Sequence, residues 1–347
     1  MTADQWVNVA PVPPPGELQI AGFWRRTVAF IVDGLVLAIP AAILGNIFFD
    51  QAAALGLWGR AIGFAVFIAY FAFMDSRICS GQSLGKRLME IRVVDRYGNN
   101  IDVEKSAARC LIVAIPYFLN GTIPADLLMR NDLATKYLVM PLVSLVVFGV
   151  GGAIVYLYIF NKKTRQSLQD LAVGSFVVRE SPAGAVTKSI RRYHLAIAAC
   201  LCLISLAAPP IVATVATKAL PSGVWSGLTD IRSALLASPD IREAQVTIGA
   251  STVSMTGSGT KTTTFLQVAA QLRSRPANPE DAELSVAETV LKLHPDLMGR
   301  ELLTISVGYG FDLGIATWRH SVQDTAMPTE WMRRINARHT QAPAQAT

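Results

Sequence analysis

The sequence predicts an α-helical membrane bundle of about five transmembrane helices followed by a small α+β extracytoplasmic domain. Three observations carry this. Five long apolar stretches fall within the first 217 residues, each near the ~20 residues a helix needs to cross ~30 Å of hydrocarbon. The whole formal charge excess of +6 lies in those same residues, because residues 218–347 hold 12 basic and 12 acidic side chains. Those last residues show instead the alternating helix and strand patterns of a folded module. With 52% hydrophobic and only 16% charged side chains over 347 residues, the chain is too apolar to be mainly disordered.

In chain order, residues 1–20 are a flexible Pro-rich segment with PVPPP at Pro11–Pro15. They lack a basic region leading into a cleavable apolar core, so no signal peptide is expected. The five predicted spans are Thr27–Phe49, the short Ala61–Met74, Ala107–Leu128 with Pro116, Asn120, Gly121 and Pro124 inside it, Leu138–Phe160, and Leu195–Thr217 with Pro209–Pro210. Burial of these runs in a large soluble helical protein is the competing reading, but five such runs with basic flanks pack poorly in water. Lys and Arg accumulate on the cytoplasmic side of short loops. Segments 1–26, 77–109 and 161–193 hold 2, 7 and 7 basic residues, against three (Arg60, Arg130 and Lys136) in the loops between. The N-terminus is therefore expected in the cytoplasm, and an odd number of spans puts residues 218–347 outside. That consequence depends on the fifth span. If Leu195–Thr217 were a peripheral helix, the terminal domain would be cytoplasmic.

Charged residues inside such spans are costly and usually face a bundle interior or a partner. Asp33 lies about two turns into the first apolar run, behind Arg25 and Arg26, with Trp24 as an interfacial anchor. Arg26 and Asp33 are seven positions apart, ~10.5 Å of helical rise, so a direct bond needs a bend or a second helix. Asp33 reads either as an ion- or proton-coupling carboxylate or as part of a buried structural pair. In the loop after the second span, Lys86 and Arg87 are candidates to meet anionic lipid phosphates. IRVVD (Ile91–Asp95) has strand character before the turn at Tyr97–Asn100. A later segment echoes it: Gln82-Ser83-Leu84 recurs as Gln166-Ser167-Leu168, and IRVV as SFVV (Ser175–Val178). Two short strands capping the bundle are expected, although the echo is too short to establish duplication.

These residues together resemble the RDD family of bacterial integral membrane proteins, named for one Arg and two Asp. The resemblance covers about residues 20–180 in AGFWRRTVAFIVDGL, SGQSLGKRLMEIRVVDRYG and RQSLQDLAVGSFVV. It carries over Arg26 and Asp33; the second Asp is Asp75 or Asp170. Such proteins often have His before that final Asp, where this chain has Gln169, so no role of that His transfers. The resemblance implies a multi-pass protein of the bacterial inner membrane, and the apolar stretches put four spans in residues 21–180 and a basic linker and fifth span in 181–217. Family biochemistry is mostly undefined, with transport, specifically cation/proton exchange, proposed for some members.

Residues 218–340 read as the α+β domain. A helix is expected at Leu228–Ser238, strands at Arg242–Gly249 and Ser251–Gly257, helices at Thr263–Arg273 and Ala282–His294, and a strand hairpin over Glu301–Val322, with a frayed terminus beyond His339. Tyr309, Trp318 and Trp331 serve either core packing or a binding face. The Ser/Thr-rich Gly249–Phe265 fails as a phosphate loop, since Lys261 follows Thr260 rather than Gly, and a surface turn is expected there. His194, His294, His320 and His339 form no triad or ligand pattern, and Cys79, Cys110, Cys200 and Cys202 lack metal spacing. No catalytic residues, metal or cofactor are therefore expected, and the chain is not expected to be an enzyme. Expected partners are membrane lipids and another membrane protein or a second copy, not nucleic acid. The functional expectation is an anchoring, scaffold or sensing component. The alternative is a small-solute or cation/proton transporter using Asp33, a reading that the lack of two matched inverted halves does not encourage.

Overall fold

Runs of apolar residues with no polar partner for the backbone satisfy it internally as helices, and four long apolar helices lie between Phe23 and Ala219. The computed structural model describes residues 16–122, 132–179, 184–185, 189–219, 222–255, 259–295 and 302–341. The chain divides into two compact units. The first comprises Met1–Leu35, Ile68–Tyr117 and Leu145–Ile204, and the second Val36–Phe67, Phe118–Ser144 and Ser205–Thr347.

The elements run β1 (Gly16–Glu17), α1 (Phe23–Ile47), α2 (Phe49–Leu55), α3 (Leu57–Met74), α4 (Leu84–Leu88), β2 (Ile91–Val94) and α5 (Val103–Leu119). They continue with α6 (Thr135–Phe160), α7 (Leu168–Val173), β3 (Phe176–Arg179), β4 (Gly184–Ala185) and α8 (Arg192–Ala219). Four of these helices are long and apolar enough to cross a membrane: α1, α3, α6 and the Arg192–Val212 part of α8. The predicted third span differs. Helix α5 starts earlier than expected, at Val103, runs through Pro116 for 17 residues and stops at Leu119, before a turn with Gly121 at φ +76°; residues 123–131 lie outside the described residues. Its Ser106, Cys110, Ala114 and Phe118 are buried at a spacing of four, the period of one helical face. Helix α6 carries π turns at Thr135–Val139 and Leu145–Val150 on either side of Pro141. Such turns accommodate a helix residue that has no N–H to donate.

The expected strand pair is present. Strands β2 and β3 are antiparallel, with Ile91 opposite Arg179 and Val94 opposite Phe176. The segment before α1 lines the other edge of β3 through Ala21 N to Val177 O (2.9 Å) and Arg179 N to Gln19 O (2.8 Å). Apolar residues on both faces of this small sheet are buried, with Ala21, Ala29, Ile91, Val93, Ile101 and Val177 in one cluster.

The C-terminal part of the second unit is α9 (Ser222–Leu236), β5 (Ile241–Met255), β6 (Gly259–Leu272), α10 (Pro279–Leu293), β7 (Leu302–Asp312), β8 (Thr317–Ala326) and α11 (Pro328–Gln341). The sheet order is β5-β6-β7-β8, with β6 and β7 parallel and the outer pairs antiparallel. Helices α9, α10 and α11 bury one face of it in a single core. The α+β class stands, but three expectations are corrected. The expected strands Arg242–Gly249 and Ser251–Gly257 join, as far as the described Met255, in the one strand β5, and the predicted helix Thr263–Arg273 is strand β6. Its Leu266, Val268, Ala270 and Leu272 alternate toward the core, and the intervening Ala269 lent the run an apparent helical period. The stretch Gly249–Phe265, expected as a surface turn, is strand backbone on both arms, with 256–258 outside the described residues. The described part of the C-terminal stretch is structured: α11 runs to Gln341 and docks through Trp331 and Ile335, and Trp331 Nε1 donates to Leu303 O at 2.9 Å. Tyr309 and Trp331 are buried and Trp318 packs against the same core, so packing takes all three.

Candidate functional site

The echoed Gln-Ser-Leu segments build two similar corners in the first unit. In each, Ser occupies the position before a short helix, α4 or α7, and a strand follows. Ser83 Oγ accepts from Lys86 N, the usual satisfaction of a free helix N–H. At the second corner the Asp170 carboxylate accepts the Ser167 N–H at 3.2 Å, the reciprocal half of a capping box. Each Gln amide then ties its corner to strand backbone, Gln82 Nε2 to Ile91 O (3.2 Å) and Gln166 Nε2 to Ser175 O (2.9 Å). Three residues after each Ser stands a charge, Lys86 in one corner and Asp170 in the other.

Both charges belong to a buried relay of ion pairs that runs from Lys86 to Arg26. Lys86 Nζ meets Asp75 Oδ1 at 2.5 Å, and Arg109 Nη1 meets Asp75 Oδ2 at 2.7 Å. Arg109 Nε meets Asp170 Oδ1 at 2.7 Å, and Arg26 Nη2 meets Asp170 Oδ2 at 2.8 Å. Arg26 also donates to the Arg165 carbonyl and lies over the Tyr158 ring at 5.1 Å. Burial pushes the Asp170 carboxyl upward, but the Arg109 and Arg26 guanidinia and the Ser167 N–H outweigh it and hold the group below the ordinary carboxylate range. Each acid thus spends both oxygens on cations, the geometry that lets a charge survive away from water.

Asp33 is solved differently. It is fully buried and accepts from Tyr70 Oη (2.8 Å), Ser83 Oγ (2.5 Å) and Gly85 N (2.8 Å). All three donors are neutral. Position 85 must be glycine for this contact, because a Cβ there would collide with the Ala29 carbonyl and stand 3.0 Å from the Asp33 carboxyl carbon.

The structure therefore brings Arg26, Asp33, Asp75 and Asp170 into one neighbourhood, and Asp75 and Asp170, alternatives in the sequence, are both used and share Arg109. Arg26 turns to Asp170 rather than approaching Asp33, because the second acid comes within bonding distance and Asp33 is already supplied. Lys86 is corrected from a lipid-facing residue to a buried ion-pair member, its Nζ also over the Phe71 ring at 5.1 Å. Arg87 is exposed beside exposed Leu84 and Leu88. Gln169 is buried, and its Oε1 has no hydrogen-bond partner. Sequence reasoning missed Arg109, Tyr70, Ser83 and Gly85. The signal for Arg109 was available, since it is a charge near the start of a predicted span. Among the described residues no group of three or more His, Cys, Asp and Glu side chains is placed to hold a metal ion.

Residues 20–174 match the family model described as the RDD family. No curated protein and no solved structure gives a significant match.

Proposed function

We propose that this chain, whose residues 20–174 form an RDD family domain, is a non-catalytic anchor of the bacterial inner membrane. It carries a C-terminal α+β domain on the outer face as a scaffold or sensing component. The single observation behind this reading is the closed charge relay. Lys86, Asp75, Arg109, Asp170 and Arg26 pair in alternating sign, a pattern that locks elements together and leaves neither of its two carboxylates open to a travelling ion.

Five crossings with the N-terminus in the cytoplasm fit the basic residues of the short loops. Contacts of α2, which connects α1 to α3, also support the outer placement: Phe49 stacks edge-on with Phe311 (6.0 Å) and Trp318 (5.3 Å) of the C-terminal sheet. The C-terminal domain then lies on the same side as the first loop, and α5 takes the place of the third crossing. The proposed partners are membrane lipids, met by exposed apolar helix faces and by Arg87, Leu84 and Leu88, and a second copy or another membrane protein.

Transport is the second reading, favoured by one observation: Asp33, an intramembrane carboxylate of the kind that marks ion and proton pathways, takes its hydrogen bonds from neutral donors. Asp33→Asn in sealed vesicles separates the two. The anchor reading expects no proton or cation flux from the parent above empty vesicles and a loss of assembled protein in the variant. Parent flux that vanishes in a well-folded Asp33→Asn protein would establish transport instead.

A further inference from the structure

The turn between β7 and β8 is fitted into notches that only glycine can provide. In the second unit, a Cβ on Gly45 of α1 would stand 2.5 Å from the Phe311 ring, and one on Gly59 of α3 2.7 Å from the Asp312 carbonyl oxygen. A Cβ on Gly63, one turn further along α3, would collide with the Leu313 carbonyl. In the turn, Gly314 has φ +74°, and a Cβ there would collide with the Phe118 ring. The turn itself is rigid: Leu313 N donates to Ala316 O (2.9 Å), and Asp312 Oδ1 accepts from Gly314 N (2.8 Å) and Thr317 Oγ1 (3.0 Å).

One arginine fastens it. Arg60 donates from Nη1 to Asp312 Oδ2 (3.0 Å), from Nε to Phe118 O (3.1 Å) and from Nη2 to Asn120 O (2.9 Å). A second tie is Arg242 Nη1 to Ala53 O of α2 at 2.6 Å. A simple tether would need none of this, since α8 already joins the C-terminal domain to the membrane part covalently. The contacts instead hold the ends of α1 and α3, and these two helices carry Arg26, Asp33 and Tyr70 at their other ends.

We infer that the β7–β8 turn is a coupling wedge: its seating against α1 and α3 constrains the two helices that also carry Arg26, Asp33 and Tyr70, so an event on the C-terminal domain is felt at the buried charge relay. The inference rests on the anchor and sensor reading above and assigns it a moving part. The wedge transmits because packed helices shift as stiff bodies and have few intermediate arrangements.

The test uses the full chain in membranes with Cys79, Cys200 and Cys202 replaced by Ser, so that native Cys110, buried on α5 next to Arg109, reports the relay by its rate of N-ethylmaleimide labelling. A companion protein, with Cys110 also replaced and Ala316→Cys added, reports the wedge. Gly63→Leu should unseat the turn and Arg60→Met should loosen it more gently, each in protein that elutes as the parent does. Both reporters should label faster by about fivefold or more, the low end of ordinary coupling between sites. An unchanged Cys110 rate in both variants overturns the coupling, whatever Ala316→Cys does. That outcome leaves the anchor reading standing, because its own test is flux through the Asp33→Asn protein.

Discussion

Arg109 bridges Asp75 and Asp170, donating to one from Nη1 and to the other from Nε, each at 2.7 Å. The two acids come from opposite sides of α5 in the sequence, one after α3 and one inside α7. A single guanidinium therefore joins three elements, and its planar fork has a geometry that an ammonium lacks.

Removing Arg109 should be the most damaging single change in the membrane part. Arg109→Met leaves two buried carboxylates sharing only Lys86 and Arg26, and should cost about 3–5 kcal/mol, the usual penalty for breaking a buried pair. Denaturant unfolding in detergent measures it. Arg109→Lys should recover only part, because one ammonium cannot reproduce the two-sided contact, and equal stability of Lys and Arg would refute the bridging role.

The two Gln-Ser-Leu corners should respond unequally to the same substitution. Ser167→Ala loses the Oγ bond to Ile154 O (2.8 Å) and should cost about 1 kcal/mol, an ordinary hydrogen bond. Ser83→Ala removes both the cap of α4 and a donor to buried Asp33, and about 2–3 kcal/mol is expected for a bond to a charged group plus a cap. Matched thermal shifts for the two variants would contradict the assignment of Ser83 to Asp33.

The C-terminal domain contains a carboxyl that should make its stability depend on pH. Glu283 on α10 is buried with Oε1 unpartnered, and burial, then Asp324 and Glu280, raise its pKa to about 7 from an ordinary 4.5. The fold favours its protonated form. Stabilisation from this group is thus complete below the unfolded value and is lost as pH rises through about 7, a change on the order of 3 kcal/mol. Glu283→Gln should flatten the melting temperature between pH 5 and 8; an unchanged pH slope would show that Glu283 is not its source.

The Arg60–Asp312 fastening should have the opposite insensitivity. Burial raises the Asp312 carboxyl, but the Gly314 N–H, Arg60, the Thr317 hydroxyl and Arg319 hold it below the ordinary carboxylate range. A lowered value means the contact is present at neutral pH and is lost only as pH falls through that lowered value. Protease resistance of the β7–β8 turn should therefore be the same at pH 5 and pH 7, while Asp312→Asn weakens it at both.

Much of this architecture was legible because it follows from local pattern. Apolar length located α1, α3, α6 and α8, and β-branched runs located β2 and β3. The Gln-Ser-Leu echo marked two related segments, but the helix caps that its serines make appear only in the structure. What stayed hidden depends on partners distant in sequence. Lys86 reads as a surface charge until Asp75 is placed beside it, and Arg109 reads as a charge at the edge of a predicted span until Asp75 and Asp170 are placed on either side of it. Strand β6 carries a pattern that suits either period, and only its pairing with both β5 and β7 decides. Helix α11 buries Trp331 and Ile335, with Met332 partly buried against the same core, on an otherwise polar surface held by ion pairs such as Arg334 with Glu330 and Asp324, too few apolar positions for periodicity to reveal.

The account turns on the C-terminal domain standing across the membrane from the N-terminus, and one labelling measurement addresses that directly. Gln323 is exposed on β8, so Gln323→Cys in a chain with its four native cysteines replaced by Ser gives a single reactive site. A membrane-impermeant maleimide added to intact right-side-out vesicles should label it fully, with no further gain on permeabilisation. Protection in intact vesicles and labelling only after permeabilisation would place the domain in the cytoplasm and contradict the five-crossing anchor.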